Sequence, residues 1–223
     1  SSEHFIADVE DFKAQFSGKK TLLMESFYRR MRKSTGIFMQ GDQPLGGKWN
    51  YDASNRKALP KGHSIPPRYF PNTDVSAVLK DIQKEIIPTI GSSGDPKHFY
   101  WPTTPEQAKG IFHYWLQHDL PFFGNFQDAM ARNQWAMYHS PISFALNTNM
   151  IDPLWVCQEV ERAYHERDEV SINAAEGFIR QILGWREFMR GAYWMAMPDY
   201  ENLNYFNHST PLPSWFWTGK TKM

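Results

Sequence analysis

The stretch from Glu176 to Met197, EGFIRQILGWREFMRGAYWMAM, constrains the fold of this chain more than any other. Phe178, Ile182, Trp185, Met189, Ala192 and Ala196 recur at alternating steps of four and three, one face of a 3.6-residue helix. Asn173 is expected as N-cap with Glu176 at N3, a capping-box arrangement, and Pro198 ends the helix at Met197. The spacing predicts a helix of about 24 residues, roughly 36 Å long, enough to cross a domain. Arg180, Gln181, Arg186, Glu187 and Arg190 sit among Trp185, Phe188, Tyr193 and Trp194. Spacing alone leaves two readings open. One is a core helix with solvated pairs such as Glu176 with Arg180; the other is a helix presenting Arg and Trp to a flat, anionic ligand.

The rest of the chain reads as helices joined by turns, without strand alternation after residue 100 and without an internal repeat. The expected fold class is therefore mainly α, a helical bundle preceded by a long linker. Helical patterns cover 4–16 (Phe5, Val9, Phe12, Phe16) and 21–33 (Leu23, Phe27, Met31), the second ended by Gly36. Residues 40–73 hold five prolines and four glycines and read as a long loop. A loop of that length is functional or disordered, and Trp49, Tyr51, Tyr69 and Phe70 argue against disorder. A helix over 74–87 carries Val75, Val78, Leu79, Ile82 and Ile86 as its stripe. The run Gly91 to Pro96 is expected as a linker dividing 1–100 from 101–223. Thr104, Pro105 and Gln107 then open a capped helix. Helices are predicted over 104–118, 125–134, 140–147, 153–166, 173–197 and 199–206.

Formal net charge is zero, so the whole chain makes no electrostatic case for nucleic acid. Its distribution is uneven: Lys19, Lys20, Arg29, Arg30, Arg32 and Lys33 stand against Glu25 alone. Such a patch suits phosphate, and a solvated helix face has the same composition. Lys48, Arg56, Lys57 and Arg68, interleaved with aromatics, read as a nucleic-acid loop or equally as a linker pinned by its rings. The single cysteine, Cys157, excludes an internal disulfide and a cluster held by these cysteines alone. His113 and His118 are five apart and face different sides of a helix, unlike a zinc pair. No apolar run reaches about 18 residues and no signal peptide is present, so a soluble, cytoplasmic chain is expected.

Two further segments carry chemistry. In His139-Ser140-Pro141-Ile142-Ser143-Phe144-Ala145-Leu146-Asn147, Ser-x-x-Ser at a helix start offers hydroxyls and free N–H groups to an anion. It serves equally well as a plain cap. Trp215-Phe216-Trp217, after Pro211 and Pro213, is an aromatic cluster suited to a core or to a planar ligand.

Gly184-Trp185-Arg186-Glu187-Phe188 resembles the W-R-E-F helix of the photolyase/cryptochrome family. The run FIRQILGWREFMRGAYW, with PLPSWFWTGKTKM, is similar to that family's iron–sulfur bacterial branch, the photolyase-related proteins that repair (6-4) photoproducts. The resemblance extends over essentially the whole chain. It implies that residues 1–100 are the end of the antenna-domain region with the interdomain linker, and 101–223 the first half of the helical FAD-binding domain. It implies FAD as cofactor, with a 4Fe-4S cluster and an antenna chromophore in the parent protein only, because the cluster ligands lie outside this sequence and Cys157 matches none. The implied activity is light-driven electron transfer from reduced FAD to a (6-4) lesion in damaged DNA, with no protein partner. The chain starts without Met and stops at Met223, and is read as a piece of a longer protein that alone retains flavin poorly and is inactive.

The resemblance also assigns residues. Segment 139–146 is similar to the family's T-S-x-L-S-P-x-L flavin-phosphate cradle, with His139 in place of the Thr and Phe144 in place of the Pro. His139, Ser140, Ile142, Ser143, Leu146, Gln181 and Arg186 are thereby placed at the flavin. Trp217 matches a Trp that passes the flavin an electron, and Trp185 with Gln181 matches the lesion side. Other members place Glu where Ile182 stands, which favours the (6-4) branch. Gly46 to Asp52 is similar to the loop beside the DNA-binding face, so Lys48, Trp49, Tyr51, Arg56, Lys57 and Trp185 are expected at DNA. Asp52 and Asp128 match positions for a divalent cation. Two other classes are carried forward: a cryptochrome-type blue-light receptor, and a helical binding module without flavin. A hollow shared by Ser143 and Arg186 separates the flavoprotein readings from the last.

Overall fold

The computed structural model describes residues 4–89 and 94–222. The long helix is continuous but not uniform: α8 (Ile172–Ile179) passes into a π-helical segment, Arg180–Arg186, and on into α9 (Glu187–Ala196). Ser171, in extended conformation, precedes its first turn. The expected capping box does not form. Asn173 instead donates to Asn55 Oδ1 (2.8 Å), and Glu176 turns inward to the core. Met197 is extended and ends the helix ahead of Pro198.

The π turn shifts the helix's register. Phe178 and Ile182 are buried as expected, but Trp185 is 41% and Met189 57% exposed, while Glu187, Phe188 and Gly191 are buried. An i→i+5 turn holds more residues than an α turn, so a stripe extrapolated at 3.6 residues drifts off the core beyond it.

Around this helix pack α1 (Val9–Phe16), α2 (Met24–Thr35), α4 (Pro105–His118), α5 (Leu120–Phe126) and α7 (Pro153–Glu166). Three glycines let neighbouring helices come close. A Cβ at Gly191 would enter the Phe12 ring, one at Gly184 would meet Met24 and Tyr28, and one at Gly124 would lie 2.6 Å from Ala174 Cα. The core they seal is aromatic, with Phe12, Phe16, Phe27 and Phe188 at one end and Phe112, Trp115, Phe123 and Phe178 at the other. Helices α1 and α2 therefore share one core with the helices after residue 101.

Helix α4 opens as expected, with Thr104 Oγ1 accepting from Gln107 N–H (3.2 Å). The predicted helix over 125–134 is absent: α5 begins directly after α4 and ends at Phe126. Residues 127–138 turn instead, with left-handed backbone at Asn133 and Met137. Helix α3 (Ser76–Lys84) forms, but no residue of its predicted stripe is buried, because it packs on the short 3-10 turn at Pro96–His98. The linker expected from Gly91 to Pro96 lies partly outside the described residues. Among those described, no helix is long and apolar enough to cross a membrane.

The loop at 40–73 is pinned rather than loose. It starts with a hairpin, β1 (Met39–Gln40) against β2 (Gln43–Pro44). Further along, Arg68 donates to Asp119 Oδ2 (3.3 Å) and to the carbonyls of Ala136 and Met137. Burial raises the Asp119 carboxyl from 3.8 to about 6, against the pull of Arg68. With the folded pKa above the unfolded one, the folded state binds the extra proton between these values, and stability falls as pH rises from about 4 to about 6. Chemical denaturation across that window should show this slope in the parent chain and lose it in Asp119→Asn.

Candidate functional site

A cavity of about 270 Å³ opens between the turn at 140–147 and the π segment. Its walls are Ser140, Ile142, Ser143, Leu146 and Asn147 from one side and Gln181, Ile182 and Arg186 from the other. All three helix residues belong to the π segment. In an α-helix Gln181 and Arg186, five apart, would point about 140° from each other. The wider i→i+5 turn aligns them.

The short helix α6 (Ser143–Asn147) has no side-chain cap. Neither the Ser140 nor the Ser143 hydroxyl bonds any described residue, and the first N–H groups of a helix lack intrahelical acceptors. Opposite them, Arg186 is anchored by one end: Nη1 donates to the His4 carbonyl (2.6 Å), and the guanidinium lies 4.1 Å over the Phe5 ring. Its Nη2 is buried without a hydrogen-bond partner among the described residues. Gln181 donates to the Gly177 carbonyl at 3.4 Å. The result is a recess with donors from two elements and no carboxylate lining it, suited to an anionic ligand.

Arg186 is held in place from below. Glu187, buried, accepts from the N–H groups of Ile6 (3.1 Å) and Ala7 (2.9 Å), so the segment before α1 is strapped across the helix. Burial raises the Glu187 pKa, and these two N–H groups and Arg186 oppose it.

Every residue expected at a flavin lines this cavity except His139, which is exposed and bonds the Gln127 carbonyl through Nε2 (3.0 Å). Asn147 joins the lining unforeseen; standing four residues after Ser143, it was legible as the same helix face. Trp217 is not in the lining. It is 62% exposed on α10 (Trp215–Thr218), in a tail where the described residues after Asp199 are all exposed but the half-buried Trp215.

Of the residues expected at DNA, all but Trp185, which stands on the π segment, belong to the loop at 48–57, docked on the long helix. Tyr51 N–H donates to Glu176 Oε2 (2.9 Å), and Lys48 lies 5.9 Å over the Tyr51 ring. Trp49 is half-buried, Lys57 is exposed, and Arg56 pairs with Asp52. Asp52 also accepts from Arg180 (3.0 Å), and the hydrogen bond from Arg56 holds its carboxyl below the usual range. Asp128 acts on the same Arg56 guanidinium. Asp52, one of the two carboxylates expected at a divalent cation, is thus paired with two arginines. Cys157 is buried, and desolvation pushes its thiol well up, against a ligand role.

The family model for deoxyribodipyrimidine photo-lyase-related protein matches residues 1–101. Over its full length the chain is 42% identical to a (6-4) photolyase of Agrobacterium fabrum, and spans 44% of that protein's length. An uncharacterized protein of Acanthamoeba polyphaga mimivirus is 31% identical over 43% of this chain and 73% of its own length. A second uncharacterized mimivirus protein is 39% identical over 26% of this chain and 32% of its own.

The strap makes a direct prediction for the site's scaffold. In Glu187→Ala, the Ile6 and Ala7 amides lose a charged acceptor and should exchange with solvent roughly tenfold faster or more, as read by hydrogen–deuterium exchange.

Proposed function

The chain belongs to the deoxyribodipyrimidine photo-lyase-related family, and we propose that it forms one wall of the flavin site of a light-driven DNA-repair enzyme of the (6-4) photolyase type. The observation that carries this is the cavity shared by Ser143 and Arg186. Ligand pockets commonly span about 300–1,000 Å³, so a recess of 270 Å³ suits part of FAD, its pyrophosphate and the adjoining chain, rather than the whole. Bound and reduced, FAD supplies the light-driven electron for the lesion.

The rest is done by this chain's own residues. The Ser140 and Ser143 hydroxyls, with the first N–H groups of α6, donate to phosphate oxygens. Arg186 offers its unpartnered Nη2 and a charge that cannot be titrated away. Gln181 presents an amide on the same wall. Trp185, 41% exposed and next to Arg186, offers a ring face on which an extruded base can stack. Lys48, Arg56 and Lys57 carry the positive edge of the loop toward DNA. Trp217 enters as electron relay only if the tail carries it to the cavity.

A flavin-fluorescence titration tests this. The chain, holding one wall of the site, should bind FAD weakly but saturably, and Ser143→Asp, which adds an anion on an exposed position of the cradle, should weaken binding at least about tenfold further. Absence of binding, or an unchanged affinity in the variant, contradicts the proposal.

A further inference from the structure

Residues 19–57 carry nine Lys and Arg against three acids, in a chain whose formal net charge is zero. Part of that excess is gathered around one indole. Arg29 lies 5.4 Å and Lys33 5.7 Å from the Trp49 ring centroid, on α2, four residues apart and so on one helix face. Arg32 approaches the same ring at 5.4 Å and is fully buried, donating to the Trp49 carbonyl (3.0 Å) and to that of Phe38. It fixes the ring and is not itself available. Lys48, the neighbour of Trp49, leans over Tyr51.

The patch neutralises itself only in part, through Arg29. Glu25 is already held by Arg29 (3.0 Å) and Asn50 (3.0 Å). Among the described residues no carboxylate pairs with Lys33, Lys48, Lys19 or Lys20. A cation set on an aromatic plate keeps a fixed direction while its charge stays in solvent. Trp49 is also ringed by three cations, which denies it a free face for stacking an unpaired base. The chemistry therefore favours a polyanion bound through phosphates over a single strand bound through its bases.

We propose that Arg29 and Lys33, set against Trp49, together with Lys48, set against Tyr51, hold the phosphate backbone of duplex DNA flanking the repair site, without regard to sequence. This rests on the DNA-repair reading above and adds to it a second contact surface, on α2, whose neighbouring face packs on the π segment through Met24 and Tyr28.

The test is fluorescence anisotropy of this chain with a labelled, undamaged duplex, at salt from about 50 to about 200 mM. Each phosphate contact contributes about 0.9 to the slope of log affinity against log salt. R29Q/K33Q/K48Q should therefore flatten the slope by roughly 2 to 3 and weaken binding at the lowest salt by tenfold or more. K80Q/K84Q/K97Q, which removes the same charge around α3, should leave the slope unchanged. An unaltered slope in the first variant, or an equal loss in the second, overturns the proposal while the DNA-repair reading stands. No salt-dependent binding by the parent chain overturns both.

Discussion

The buried carboxylate of Glu176 is the interaction on which the arrangement depends. It accepts from the Tyr28 hydroxyl of α2 (3.0 Å) and the Tyr51 N–H of the loop (2.9 Å), and faces Arg180 Nε at 3.3 Å. Burial raises its pKa, opposed first by Arg180 and then by these two donors. A charge withdrawn from water costs several kcal/mol unless its lone pairs are met, and here they are met from three separate stretches of chain. Arg180 relays the tie to Asp52, and Asp52 to Arg56. One carboxylate thus holds α2, the loop at 48–57 and the long helix in a single register. Glu187 repeats the device eleven residues on, with the segment before α1.

Between these two glutamates lies the π turn, and the position is consistent with its use. A π turn gives up regular α hydrogen bonding and persists where the surroundings hold it. Gly184 lets α2 lie against its back, while Gln181, Ile182 and Arg186 face the cavity. Packing on one side and a cavity wall on the other are separated by the same widened turn. The donors on that wall come from two elements fixed independently, which is the preorganisation that an anion site requires.

Much of this was legible locally. Helix α7 runs from Pro153 to Glu166 as its pattern predicts, with Asp152 Oδ1 accepting from Trp155 N–H (2.7 Å). The Ser-x-x-Ser turn and the Trp-Arg helix were correctly read as facing a common hollow. What escaped the sequence depends on distant partners. The π turn slips the stripe so that Met189 points out and Gly191 in, a change that 3.6-residue counting cannot register. The missing helix after Phe126 reflects Arg68, which takes the Ala136 and Met137 carbonyls from some 70 residues upstream. Asn173 looked like a cap until Asn55 claimed its amide. The α3 stripe follows a helical period yet finds nothing to bury against.

The central claim is that the turn at Ser140–Asn147 and the π segment enclose one ligand. A crystal structure of the chain grown with FAD tests it most directly. The account predicts phosphate density between Ser143 and the Arg186 guanidinium, with the π turn intact. Flavin density elsewhere on the surface, or a regular α-helix through residues 180–186 with Gln181 and Arg186 diverging, would contradict it.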